Sequence, residues 1–314
     1  MVTFIRMGGV YIGNINFICR TKQTSVVAFS LVRRGDVSGE IEGTTKAFIF
    51  GGQSYYGAEN DTDEYEPDTW TSKTSMPGSL YGNAATTLNG YVYVCAGEDG
   101  NTKTKVNWEY YTDTWTSKTE MPSPTRHDLI AFALLNKGYY EGGITYGSVI
   151  LGDNDEYDPD SWTSKTNGPA ARDHAGSAIN DKGYVYYSQH TSEYTPGLDG
   201  WATKTNMPSP SRSGHAAATV NDKGYVFGGY GTSFMTDCDE YDPDSWSSKT
   251  SMPSPGRREF DAAEIFNKAY VFCGDSGSSF KMDDCDRYEP DIDTWTSMTS
   301  APAPPREEEA AASL

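Results

Sequence analysis

One phrase recurs down this chain. It reads "EPDTWTSKTSMPGS" from Glu66, "YTDTWTSKTEMPSPTR" from Tyr111, "DPDSWTSKTNGPAAR" from Asp158 and "DPDSWSSKTSMPSPGR" from Asp242. A catalytic constellation needs its residues once, whereas a phrase repeated at this period means that one structural unit is built several times. In register, the tryptophans Trp70, Trp115, Trp162, Trp201, Trp246 and Trp295 follow one another at 39 to 49 residues, and Trp108 stands outside the series. Ahead of each lies a short β-rich run ending in small residues: "KAFIFGG", "YVYVCAG", "KGYYEGG", "KGYVYYS", "KGYVFGG" and "KAYVFCG". Residues 46–314 therefore hold six units.

The fifth unit is the cleanest. "SGHAAATV" reads as a first strand a, "NDKG" as a tight turn, "YVFGG" as strand b, "CDEYD" as strand c, "PDS" as a turn and "WSSKT" as strand d. Each unit is thus expected to be a four-stranded meander. Pro243 presets the backbone for the first central turn position, and the neighbouring aspartates bond their own backbone, so the c-to-d connection is specified locally. The small Ala216, Ala217 and Ala218 suit an innermost strand. The final "APAPPREEEAAASL" aligns with "MPSPSRSGHAAATV" of unit five and supplies only a strand a, while the first unit begins at strand b with Lys46. The last strand is therefore expected to complete the first sheet and close a ring, which removes the exposed edges of an open sheet series.

The double glycine after strand b, the Tyr of strand c, the Trp of strand d and the "MPSPxR" that follows resemble kelch repeats, which build β-propellers with one blade per repeat. The resemblance spans residues 46–314 and implies an all-β, six-bladed kelch-like propeller. It departs at "YYSQ" in unit four and "CGD" in unit six. Residues 1–45 lie outside the period; "VYIGNINFIC" and "TSVVAFSLV" have strand character, and an extra hairpin or docking arm is expected there.

With 44 acidic against 25 basic residues, the net charge of −19 excludes sequence-independent attraction to nucleic acid. No apolar run approaches the length of a membrane helix, and no signal peptide is read. Five cysteines without CxxC spacing spell neither a zinc site nor a disulfide framework. No nucleotide, metalloprotease or hydrolase motif is present, so neither catalytic residues nor a cofactor or metal is assigned. The aspartate-rich stretches recur with the c-to-d turn, which favours turn chemistry over calcium ligation.

Antiparallel order alone sends the b-to-c loops and d-to-a segments to one face, and the short a-to-b and c-to-d turns to the other. The b-to-c loops vary where everything else repeats, and are rich in Tyr, Gly, Ser and Asp, the composition of recognition surfaces. Tyr55, Tyr56, Tyr146, Tyr230, Phe234 and Phe280 are the candidate contacts for a protein or glycan ligand. Arg126, Arg172, Arg212, Arg257 and Arg306 follow the Met-Pro segments; a guanidinium ring could hold a carboxylate or acidic peptide, while repetition at one position favours a tie between blades. The expected function is a non-enzymatic interaction module. Two alternatives stand beside it: an exterior, adhesin-like component of a virion or cell surface docked through residues 1–45, and a channel-mouth carbohydrate enzyme resembling sialic acid mutarotase.

Overall fold

The computed structural model describes residues 45–277 and 281–314 and arranges the six units as six four-stranded sheets, each ordered a-b-c-d and antiparallel throughout. The hairpin or arm expected in residues 1–45 lies outside the described residues, apart from Thr45. The innermost strands a are Ala84–Leu88, Ile130–Leu134, Ala175–Ile179, Ala216–Val220, Asp261–Ile265 and Ala310–Ser313. Blade 5 continues with Lys223–Phe227, Cys238–Asp242 and Ser245–Ser248, matching the order read from its sequence.

Closure occurs as the repeat phase requires. Ala310–Ser313 pairs with Ala47–Phe50, with Phe48 opposite Ala312 and Phe50 opposite Ala310, so the final strand is strand a of blade 1. Ala47–Phe50 then pairs with Thr62–Glu66, and that strand with Thr69–Ser72.

The apolar interior is divided into layers between neighbouring blades. One cluster joins Val220 and Phe227 of blade 5 to Val271 of blade 6, and another joins Ile265 and Phe272 of blade 6 to Ile49 and Tyr65 of blade 1. Strand b is almost wholly buried in each blade because both of its faces meet a neighbour, whereas strand a of blade 5 alternates: Ala216, Ala218 and Val220 are buried, and Ala217 and Thr219 turn toward the axis.

The repeated phrase is the latch between those blades. Each series Trp stacks on the strand-c Tyr opposite it, with ring centroids 4.8–5.0 Å apart. Each indole N–H donates to the carbonyl of a Thr in the preceding blade, at 2.8–3.0 Å, from Trp70 to Thr299 around to Trp295 to Thr250. The turn aspartates Asp68, Asp113, Asp160, Asp199, Asp244 and Asp293 accept from the N–H of the same threonines. The aspartate-rich turns are therefore engaged in hydrogen bonds between blades. The glycine after strand b serves the same purpose: Gly51 has φ +62°, and a Cβ there would sit 2.3 Å from the Leu80 carbonyl of the next blade's entry segment.

Candidate functional site

The arginines lie inside the blades. Arg126, Arg212, Arg257 and Arg306 are 0–2% exposed. Arg126 Nη2 donates to Asp155 at 2.8 Å and Arg306 Nη2 to Asp63 at 2.9 Å, while Arg212 and Arg257 pair with Asp239 and Asp286. Each guanidinium on an entry segment is thus held by strand c of the blade being entered. The position is occupied by Leu80 before blade 2 and Ala171 before blade 4, as the matching backbone bonds from Gly52 and Gly143 show. At the partner position those blades carry Trp108 and Ser192 in place of Asp. Arginine and aspartate are present together or absent together. Arg172 stands one residue beyond the ring position; its side chain is half-exposed, 3.7 Å from Asp173.

The aromatic candidates lie where the loops emerge. Tyr55 and Tyr56 form the tip of a hairpin pairing Gln53–Ser54 with Gly57–Ala58, and Tyr146 lies between Ile144–Thr145 and Val149–Ile150. Tyr56 is 90% exposed, and Tyr55, Tyr146 and Tyr230 are also exposed. Adjacent loops interlock: the Tyr55 hydroxyl accepts from the Lys281 N–H of blade 6, and the Tyr146 hydroxyl from the Lys103 N–H of blade 2. Tyr230 packs edge-on against half-buried Phe234, with the Arg258 guanidinium over both rings. Phe280 lies outside the described residues.

Two residues after the arginine position is a ring that the sequence reading did not single out. Gly82, Asp128, Asp173, Gly214, Glu259 and Glu308 all have φ between +49° and +63°. Five consecutive backbone bonds of 2.7–2.9 Å link them around the axis, from Asp128 N–H to the Gly82 carbonyl, onward through Glu308, Glu259 and Gly214, to Asp173. Left-handed backbone is costly for residues with a Cβ, by roughly 1–3 kcal/mol each, and here the ladder of peptide bonds holds it. The two glycines separate an aspartate pair from a glutamate pair. At Gly82 a Cβ would meet the Asp128 carboxylate at 2.6 Å, so the bare position is what lets that carboxylate lie across it.

These four carboxyl groups line one axial cavity of about 170 Å³, open at the loop face. Burial, then mutual repulsion, raises the pKa of Asp128; Glu308 is raised by burial and by Asp128 and Glu259. Burial likewise raises Glu259, opposed by the Arg258 guanidinium 3.3 Å away. His127, 3.3 Å from Asp128, is pushed down by burial and by Lys103, whose ammonium sits 2.7 Å from its Nδ1. One residue deeper are Asn83, His174, His215 and Glu309, all buried. His215 bonds the Tyr186 carbonyl at 3.0 Å and burial pushes it down to about 3, while His174 bonds Glu141 at 2.8 Å. Glu309 is raised by burial to about 8, and neither amide atom of Asn83 has a hydrogen-bond partner among the described residues. The carboxylates were legible as the second residue after each repeat arginine, but their identity varies among Asp, Glu and Gly.

The Kelch motif family model matches residues 79–122 and 211–253, covering blade 2 and blade 5. Among solved structures the fold is similar to that titled "Structure of YjhT", with a TM-score of 0.71 and 15% identity over 82% of this chain and 95% of that one. No curated protein sequence matches the chain. The chain is a six-bladed β-propeller, two of whose blades carry the Kelch motif.

Proposed function

We propose that this propeller is a non-enzymatic binding module that takes a protein or glycan partner on the face formed by its b-to-c loops and d-to-a segments. The observation that carries the reading is the set of exposed tyrosines on interlocked loops, with Tyr56 at 90% exposure. Large aromatics on an ordered loop offer contact area at small entropic cost, and these keep between 38% and 90% of their surface exposed. The buried arginines contribute rigidity beneath that surface. A second reading, acid–base chemistry on a carbohydrate at the axial mouth, draws on one observation: protonatable carboxyl groups beside Arg258.

Peptides selected for binding from a random display library test the first reading. They are expected to lose affinity for Tyr56→Ala and Tyr146→Ala variants whose melting is unchanged. Binders that map instead to the a-to-b and c-to-d turns would contradict it.

A further inference from the structure

The axial ring, which the binding reading leaves unused, has a chemistry of its own. Asp128, Asp173, Glu259 and Glu308 converge on one small cavity at the centre of the loop face. Among the described residues the cationic groups beside this ring are Arg172 at Asp173, Arg258 at Glu259, and Lys103, which reaches Asp128 through His127; none of them lines the cavity. A second, independent feature sits below them. Asn83 is 5% exposed, lines the same cavity, and has neither its carbonyl nor its amide nitrogen hydrogen-bonded among the described residues. A buried amide without a partner is costly, by about 1–3 kcal/mol, and a donor arriving along the axis would satisfy its carbonyl oxygen. The Glu308 Oε2 atom is buried and unbonded in the same way.

A compact metal ion is a poorer match than a larger cation. Hard divalent ions need several oxygens at about 2.0–2.6 Å from one point. Among the described residues, the carboxylates whose oxygens come within 4.8 Å of one another are Glu259, Asp275 and Glu307, and these meet Arg258 and Lys281 instead. No three of the axial four bring ligand oxygens within 4.8 Å of one another, which suits separate hydrogen bonds to the several N–H donors of an organic cation better than coordination of one ion. The exposed tyrosines of the b-to-c loops, on the same face, extend that preference, because aromatic faces attract ammonium and guanidinium groups.

We propose that the axial carboxylates receive the ammonium or guanidinium end of a lysine or arginine side chain, carried by a partner polypeptide that lies across the tyrosine rim. The carboxylates and Asn83 accept its hydrogen bonds, and the left-handed ring positions hold the acceptors in place before the ligand arrives. This rests on the binding reading above and fixes the chemical class of its partner.

Calorimetric titration of the full chain with hexalysine tests it, at about 150 mM salt so that diffuse attraction is screened beyond about 8 Å. The inference predicts saturable one-to-one binding, weakened roughly tenfold or more by Asp173→Asn with Glu308→Gln. The pair Glu66→Gln with Asp158→Asn removes the same charge from the opposite face and is expected to change affinity by no more than about twofold. Equal losses from both pairs, or no saturable binding, would overturn the inference. Should the axial double variant fail to fold, Asp173→Asn alone replaces it, since that side chain is partly exposed. Spermidine as a second probe separates the source of the amine: equal affinity for it would assign the ring to free polyamines and overturn the polypeptide partner. Failure of the rim reading shows differently, as axial variants that weaken hexalysine binding while Tyr56→Ala leaves it unchanged.

Discussion

Two charged rings lie two residues apart in the repeat and behave in opposite ways. The arginines are fully buried, and each finds an aspartate on strand c of the blade it enters. The axial carboxyl groups are partly open and repel one another, with Arg172 and Arg258 each beside one of them. Both rings recur, so recurrence alone says nothing about which one faces a ligand. Pairing does: where the arginine is lost, at Leu80 and Ala171, its aspartate is lost too, replaced by Trp108 and Ser192. Leu80 and Trp108 then share an apolar cluster. A charge whose partner changes with it from blade to blade belongs to the scaffold, whereas carboxyl groups that repel one another and meet cations only at their margin keep capacity for a further cation.

The largest expected effect breaks the first ring. Arg257→Ala leaves Asp286 buried without its guanidinium and should cost about 3–5 kcal/mol in denaturant unfolding. Adding Asp286→Ser recreates the pair found in blade 4 and should recover most of that loss. If the double variant is no more stable than the single one, the covariance has another origin.

Next in size is the pH response of the axial groups. Burial raises Glu309 to about 8 and Asp261 to about 7 in the folded protein. An acid whose folded pKa is raised gives stability that is complete below its unfolded pKa, near 4, and that is lost as pH rises through the folded value. Thermal stability should therefore fall between pH about 4.5 and 8, with Asp128, Asp173, Glu259 and Glu308 adding repulsion, and Arg172, Arg258 and Lys103 opposing it. Glu309→Gln should flatten that fall and gain on the order of 2 kcal/mol at pH 8. A pH profile unchanged by the substitution would show that the group is solvated.

A smaller change probes the latch: Trp246→Phe keeps the ring on Tyr241 but loses the bond to the Thr205 carbonyl, for about 1 kcal/mol. The smallest is Tyr56→Ala, which should shift unfolding by less than about 0.5 kcal/mol, because that side chain packs on little of its own molecule.

The frame was legible because its determinants are local and repeated. The Trp-Tyr register, the Asp turn and the alanine strand each act within one unit or on the next one, so six near-copies specify a ring, and the phase offset between the first and last units specifies its closure. The same repetition favoured a structural tie for the arginines over a ligand ring, but a two-residue shortening of the entry segment "NGPAAR" hid that Ala171, and not Arg172, holds the fourth position. The axial ring was harder to see. Its positions depend on left-handed backbone and on convergence of segments about 45 residues apart, and no single residue type marks it. The loop hairpins that present Tyr55, Tyr56 and Tyr146 were readable as variable and aromatic, but not in their cross-blade bonds.

The contrast between the buried, ion-paired ring and the mutually repelling axial ring is tested most directly by carbon-13 NMR titration of the aspartate and glutamate side-chain carboxyl groups, assigned by loss of signal in Asp128→Asn, Glu259→Gln and Glu308→Gln. The account predicts that these three titrate well above the ordinary carboxylate range, and that saturating hexalysine draws their titrations downward. Ordinary titration of all three near pH 4, unmoved by the basic probe, would contradict it.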